Sequence, residues 1–81
     1  MPLHVSVVSP ERVVFEGDVD SVRAPAFDGD LGILPRHAPM VTLLGAGTLR
    51  LGSTHRFSVR GGVLQVVDDQ VRVITDHADE A

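Results

Sequence analysis

Short runs of alternating apolar and polar residues, separated by turn formers, recur about every 8–12 residues along this chain, a spacing that points to an all-β sandwich or barrel. Leu3-His4-Val5-Ser6-Val7 alternates strictly, so Leu3, Val5 and Val7 share one face. Ser9-Pro10 closes this run, and Arg12-Val13-Val14-Phe15 follows, ended by Glu16-Gly17-Asp18. From Asp18 to Ala24 the apolar positions Val19 and Val22 break parity, which predicts a bulge or a bend between sheets. Met40-Val41-Thr42-Leu43-Leu44, Thr48-Leu49-Arg50-Leu51 and Arg56-Phe57-Ser58-Val59-Arg60 read as further strands, with Phe57 and Val59 inward. Gly61-Gly62 frees the backbone for a tight turn or kink. Val63–Val67 and Val71–Thr75 flank Asp68-Asp69-Gln70 as a hairpin. No amphipathic helix, internal repeat or low-complexity tract is present. Nine or ten short strands predict a two-sheet β-sandwich with the apolar faces packed together.

The segment Pro25 to Pro39 departs from this rhythm. It holds three of the five prolines, which remove backbone donors, so it cannot be a central strand throughout. Leu31, Ile33 and Leu34 are too apolar for a free linker. An ordered loop carrying a short strand is the expectation, in the kind of segment that often carries function. The last residues, from Asp76 to Ala81, are polar and could start a helix capped by Asp76, though one too short to be stable alone.

Length and composition bound the rest. Eighty-one residues make one domain, and a chain this short buries only roughly 60–65% of its unfolded surface. Hydrophobic residues are 43% and charged residues 22%, with three Phe and neither Trp nor Tyr, so the core must be aliphatic. The absence of cysteine rules out disulfides and a thiol nucleophile. Net charge is −4 and every basic residue is Arg, which argues against a nucleic-acid partner. No apolar run approaches the roughly 20 residues of a membrane span, and the N-terminus lacks a signal-peptide pattern, so a soluble intracellular chain is expected.

Candidate chemistry is thin. His4, His37, His55 and His77 lie far apart and show no metal-ligand spacing. Asp18/Asp20 and Asp28/Asp30 could bind a cation, but Asp28-Gly29-Asp30 lacks the later ligands of a calcium loop and reads better as a turn. Gly45-Ala46-Gly47 precedes a strand rather than a helix, and no Lys exists for a phosphate loop. A single Arg60-Gly61-Gly62 is a strand end, not an RNA-binding box. Ser6, Ser9, Ser53 and Ser58 sit in no nucleophile-elbow setting. By elimination the chain reads as a non-catalytic binding or coupling module with a specialised loop at 25–39.

That loop carries a resemblance. Gly29-Asp30-Leu31-Gly32-Ile33-Leu34-Pro35-Arg36-His37-Ala38-Pro39 resembles the signature of the epsilon-subunit family of F-type ATP synthase, whose mitochondrial counterpart is called delta. The likeness extends through Val7-Val8-Ser9-Pro10-Glu11, Phe15-Glu16-Gly17, Met40-Val41-Thr42, Gly61-Gly62-Val63-Leu64-Gln65-Val66 and Val71–Asp76, so it spans almost the whole chain. Arg36 stands where the family commonly has Gly.

The resemblance implies a ten-stranded sandwich in the central stalk of a proton- or sodium-translocating synthase. It would occupy residues 1–76, with 77–81 a short polar tail where the family's C-terminal helical hairpin would begin. Such a domain binds the gamma subunit with one side and the c-ring with its lower end. Asp30, Leu31, Gly32, Ile33, Pro35, Arg36 and His37 would form the c-ring-facing loop, with Asp30 and His37 close together, and Ser9 and Thr42 match gamma-facing positions. The expected chain is non-catalytic, with no cofactor, metal or nucleotide. It would reach the cytoplasmic face of the inner membrane only through the complex, as a peripheral rotor component without hairpin-type inhibition. The alternative is an unrelated β-sandwich adaptor.

Overall fold

A computed structural model describes residues 2–81, and among them the chain is all strand and turn. Ten strands follow in order: β1 Leu3–Val8, β2 Val13–Val19, β3 Val22–Ala26, β4 Gly29–Ile33, β5 Met40–Leu43, β6 Ala46–Leu51, β7 His55–Arg60, β8 Gly62–Val67, β9 Gln70–Thr75 and β10 Ala78–Glu80. They form two five-stranded sheets, ordered β2-β1-β9-β8-β5 and β10-β7-β6-β3-β4. The two-sheet all-β sandwich expected from the alternation is therefore the observed architecture. The pairing is antiparallel throughout except where β1 lies parallel to β9, His4 opposite Gln70 through Val8 opposite Ile74.

Alternation builds the core. Leu3, Val5, Val7, Leu64, Val66, Val71 and Val73 come from the first sheet, and Val22, Ala24, Ile33, Leu49, Leu51, Phe57 and Val59 from the second. The core is aliphatic but for Phe57 and the half-buried Phe15, whose ring centroids lie 6.2 Å apart. The parity break at Val19 and Val22 is the chain leaving one sheet for the other. Val19 ends β2 in the first sheet and Val22 opens β3 in the second, and both turn inward. A ladder irregularity does occur, but between Val7 and Val8.

The crossing from β7 to β8, the fourth between the sheets, uses Gly61-Gly62. Both residues have positive φ (72° and 125°). A Cβ on Gly62 would collide with the carbonyl oxygen of Ile74. The close approach lets β8 leave β7 and run beside β9 at once. The β8–β9 hairpin turns on Asp68 and Asp69, with φ of 50° and 61°, the left-handed pair that a two-residue turn demands.

The Pro-rich segment resolves into parts. Pro25 is a β3 residue paired with Asp30 of β4. The β3–β6 ladder covers only Val22–Leu51 and Arg23–Arg50 and stops short of Pro25, which has no N–H to offer β6. A turn at Phe27-Asp28 leads into β4, and a true loop runs from Leu34 to Pro39.

The tail differs from its reading as a helix start. After Asp76 and His77 the chain pairs as β10 along β7, Ala78 opposite Val59 and Glu80 opposite Phe57. Ala78 is buried, and Arg60 N–H donates to the His77 carbonyl at 3.2 Å. The buried Thr75 hydroxyl lies 2.9 Å from the carbonyl oxygens of Gly61 and His77, donating to one of them, and accepts the His77 amide at 3.3 Å. An open edge on β7 and a small core-facing Ala78 thus outweigh the weak helix signal of a few polar residues.

Candidate functional site

The loop Leu34–Pro39 joins the edge strand β4 of one sheet to the edge strand β5 of the other. Its conformation is closed by three hydrogen bonds. His37 N–H donates to the Leu34 carbonyl at 3.2 Å. The His37 ring places Nδ1 2.7 Å from the Ala38 carbonyl, so Nδ1 is the protonated ring nitrogen. Arg36 N–H donates to the Asp69 carboxylate at 2.6 Å, tying the loop to the β8–β9 turn. Arg36 has φ of 70°, a left-handed conformation that a residue with a Cβ adopts at a cost. That is the local account of why glycine is common at this position in the family that the motif resembles, and why Arg36 needs its tether.

The residues expected at one docking end do not form one cluster. In β4 the alternation sends Leu31 and Ile33 inward and Asp30 and Gly32 outward. Ile33 is fully buried and Leu31 packs against the core, so Ile33 is a core residue rather than a docking one. Asp30 is the second residue of β4 and His37 lies four beyond its end. The Asp30 carboxylate faces Arg23 at 4.0 Å, while His37 closes its own turn. Asp30 and His37 thus sit on different elements, one within β4 and the other in the loop beyond it, each with its own local partner. Pro35 and His37 are half-buried, Arg36 is exposed, and Leu34 is 64% exposed.

Ser9 sits in the β1–β2 turn, where its N–H and hydroxyl both donate to the Arg12 carbonyl, at 2.9 and 3.3 Å. Thr42 lies mid-β5, half-buried and opposite Leu64. They flank a feature that strand-by-strand reading missed. Leu43, Val63, Ile74, Val8 and Val13 are successive register partners across β5, β8, β9, β1 and β2. They make an apolar row over the full width of the first sheet's outer face. Leu43, Ile74 and Val13 are 57%, 50% and 59% exposed. The signal was present as apolar residues at out-facing positions, but only the register aligns them.

Farther along the same face, His4 is clamped between two carboxylates, Nδ1 2.9 Å from Asp18 and Nε2 3.4 Å from Glu16. The hydrogen bond that the ring donates to Asp18, then the one it donates to Glu16, raises the His4 pKa above its ordinary value of 6.5.

The comparisons with known proteins agree with this architecture. The family model described as "ATP synthase, Delta/Epsilon chain, beta-sandwich domain" matches residues 2–81. An ATP synthase epsilon chain of Roseiflexus sp. (strain RS-1) is 44% identical over 84 residues, covering 100% of this chain and 60% of the relative. That of Leptospira borgpetersenii serovar Hardjo-bovis (strain JB197) is 45% identical over 78 residues, covering 93% of this chain and 61% of the relative. The chain thus spans about 60% of the length of these relatives. Among solved structures, a chain from the central stalk and c-ring of the Tetrahymena thermophila mitochondrial ATP synthase superposes with a TM-score of 0.84 at 17% identity, over 99% of this chain and 67% of that one. A chain of the Euglena gracilis mitochondrial ATP synthase gives 0.89 at 19% identity, over 98% and 53%. At these identities the two structures speak for the fold, while the family match and the relatives speak for descent. The chain belongs to the ATP synthase delta/epsilon family, of which it carries the β-sandwich domain.

Proposed function

We propose that this sandwich is the docking domain of a non-catalytic central-stalk subunit of an F-type ATP synthase. It seats on the gamma subunit through the outer face of its first sheet and on the c-ring through the end that carries the Leu34–His37 loop. No catalytic residue, cofactor or nucleotide is assigned to it. The chain reaches the cytoplasmic face of the membrane as a peripheral part of the complex, in which ion flow is coupled to ATP synthesis. No helix among the described residues is long and apolar enough to cross a membrane.

The observation that carries this reading is the apolar row Leu43–Val63–Ile74–Val8–Val13. A continuous exposed apolar strip marks an interaction surface, whereas scattered apolar residues do not. The row passes beside Ser9, one of the two positions assigned to gamma on resemblance; the other, Thr42, is the neighbour of Leu43 along β5 but turns inward opposite the buried Leu64. At the loop, tethering through Asp69 supplies the rigidity that a torque-bearing contact needs.

The experiment is co-purification with gamma and with the c-ring. Ile74→Asp and Val13→Asp each place a charge in the row and are expected to weaken gamma binding about tenfold or more, leaving the fold intact. Arg36→Glu, a charge reversal on the exposed loop, is expected to weaken ring docking and spare gamma. A chain that captures neither partner, or an Ile74→Asp chain that binds gamma as well as the parent, overturns the reading.

A further inference from the structure

The outer face of the second sheet holds an arrangement that strand register, and not sequence proximity, creates. Arg23 on β3 is directly opposite Arg50 on β6, and Arg50 is directly opposite Arg56 on β7. All three side chains are exposed. Like charges facing one another across a ladder are destabilising. Among the described residues Arg23 faces Asp30 at 4.0 Å, while Arg50 and Arg56 form no ion pair, although Glu80 and Ala81 line a depression beside Arg56. Arg60, two residues beyond Ser58 on β7, adds to the same face. A chain with a net charge of −4 therefore gathers a cationic row that is only partly neutralised in one place.

The surroundings give the row a shape. Gly32, opposite Arg23 on β4, has no side chain to cover it. A shallow depression of about 310 Å³ lies among Arg23, Asp30, Thr48 and Arg50. A neighbouring one of about 360 Å³ runs from Arg23 and Arg50 past Gly32 to the exposed Leu34.

From this we infer that the outer face of the second sheet binds an acidic polypeptide segment of a partner protein, its carboxylates held by Arg23, Arg50 and Arg56 and an apolar neighbour resting on Leu34. Guanidinium forks match carboxylates with two parallel hydrogen bonds. With strands roughly 4.8 Å apart the row spans about 10 Å, which suits carboxylates one and two turns apart on a helix, at roughly 6 and 10.5 Å. A lipid surface or a nucleic acid fits less well. Both recruit by a broad positive field, and here Asp30 and Asp79 stand on the same face within an acidic chain. The segment and the gamma-facing row occupy opposite faces of the sandwich, so both can be filled together; Leu34 is shared with the loop proposed to meet the ring, and the arginine contacts do not depend on that docking.

The probe is a Glu- and Leu-rich helical peptide titrated into the whole chain, with the arginine Nε–H signals followed by NMR. The expected result is saturable shifts confined to Arg23, Arg50 and Arg56, and affinity that falls as salt rises. Replacing Arg50→Gln and Arg56→Gln together should weaken binding about tenfold or more, while Arg72→Gln on the opposite face leaves it unchanged. Equal shifts at all arginines, no binding, or equal binding by the double variant overturns the inference. So does row-dependent binding to phosphatidylserine vesicles or inorganic phosphate at affinities matching or exceeding the peptide's, since the site would then read phosphate rather than carboxylates.

Discussion

The backbone amide of Arg36 and the carboxylate of Asp69, thirty-three residues apart, meet at 2.6 Å and join the Pro-rich loop to the turn of the β8–β9 hairpin. Two left-handed residues thereby support each other, since Asp69 itself has φ of 61°. Asp69→Ala is expected to destabilise by about 1–2 kcal/mol, losing both the acceptor and a residue suited to the turn, whereas Asp69→Asn should cost less than about 1 kcal/mol. Chemical denaturation of the two variants checks this, and equal losses would remove the hydrogen bond from the explanation.

Arg36→Gly tests the strain directly. Glycine adopts the left-handed region freely but is also freer when unfolded, so the two effects oppose. With φ at 70° relief should win, raising stability by up to about 1 kcal/mol. A clear loss of stability would show that the Arg36 side chain contributes contacts of its own.

Gly62 offers no such latitude. A Cβ there meets the Ile74 carbonyl, and the backbone has φ of 125°. Gly62→Ala is expected to cost about 2 kcal/mol or more, read as a lowered urea midpoint, because β8 must retreat from β9. Gly32→Ala, with open space around it, should lie within about 0.5 kcal/mol of the parent.

Ile33 and Asp30 are three residues apart and should behave as opposites. Ile33→Ala leaves a cavity in a fully packed core and should cost about 2–5 kcal/mol. Asp30→Asn removes one partner of an exposed pair and should change stability by less than about 1 kcal/mol. Calorimetric melting of both variants decides whether the motif's residues divide this way.

The His4 clamp gives the chain a pH dependence. A pKa raised in the folded state means protonated His4 binds Asp18 and Glu16 better than it binds water. That contribution is fully present below the unfolded value of about 6.5 and is lost as pH rises through the higher folded value. His4→Gln should therefore destabilise the chain at pH near 5.5 and leave it unchanged near pH 8.5. In an NMR titration, Asp18→Asn should return most of the shift and Glu16→Gln the smaller part. A wild-type His4 that titrates at its ordinary value ends this argument.

Much of this fold was readable in advance because a period of two survives local noise. Leu3-Val5-Val7 and Phe57-Val59 point inward as alternation requires, and Gly61-Gly62 marks a real kink. What stayed hidden depends on register. Nothing local says that Val8 will lie beside Ile74, or Arg50 between Arg23 and Arg56, so both the apolar row and the cationic one escaped a strand-by-strand reading. The β10 strand escaped for a related reason: three residues carry almost no pattern, and the open edge of β7 decides their fate. The loop motif was easy to see yet misleading about geometry, since a signature contiguous in sequence spans a strand and so divides between core and surface.

The parallel contact of β1 with β9 has a consequence for synthesis. The first hairpin is able to form as soon as its residues leave the ribosome, but β1 is an interior strand whose second neighbour, β9, is made much later. At roughly 5–20 residues per second, about sixty residues separate Val8 from Gln70, so that edge stays bare for several seconds. Leu3, Val5 and Val7 wait uncovered over that interval, and a nascent chain arrested before Thr75 has no route to a closed first sheet.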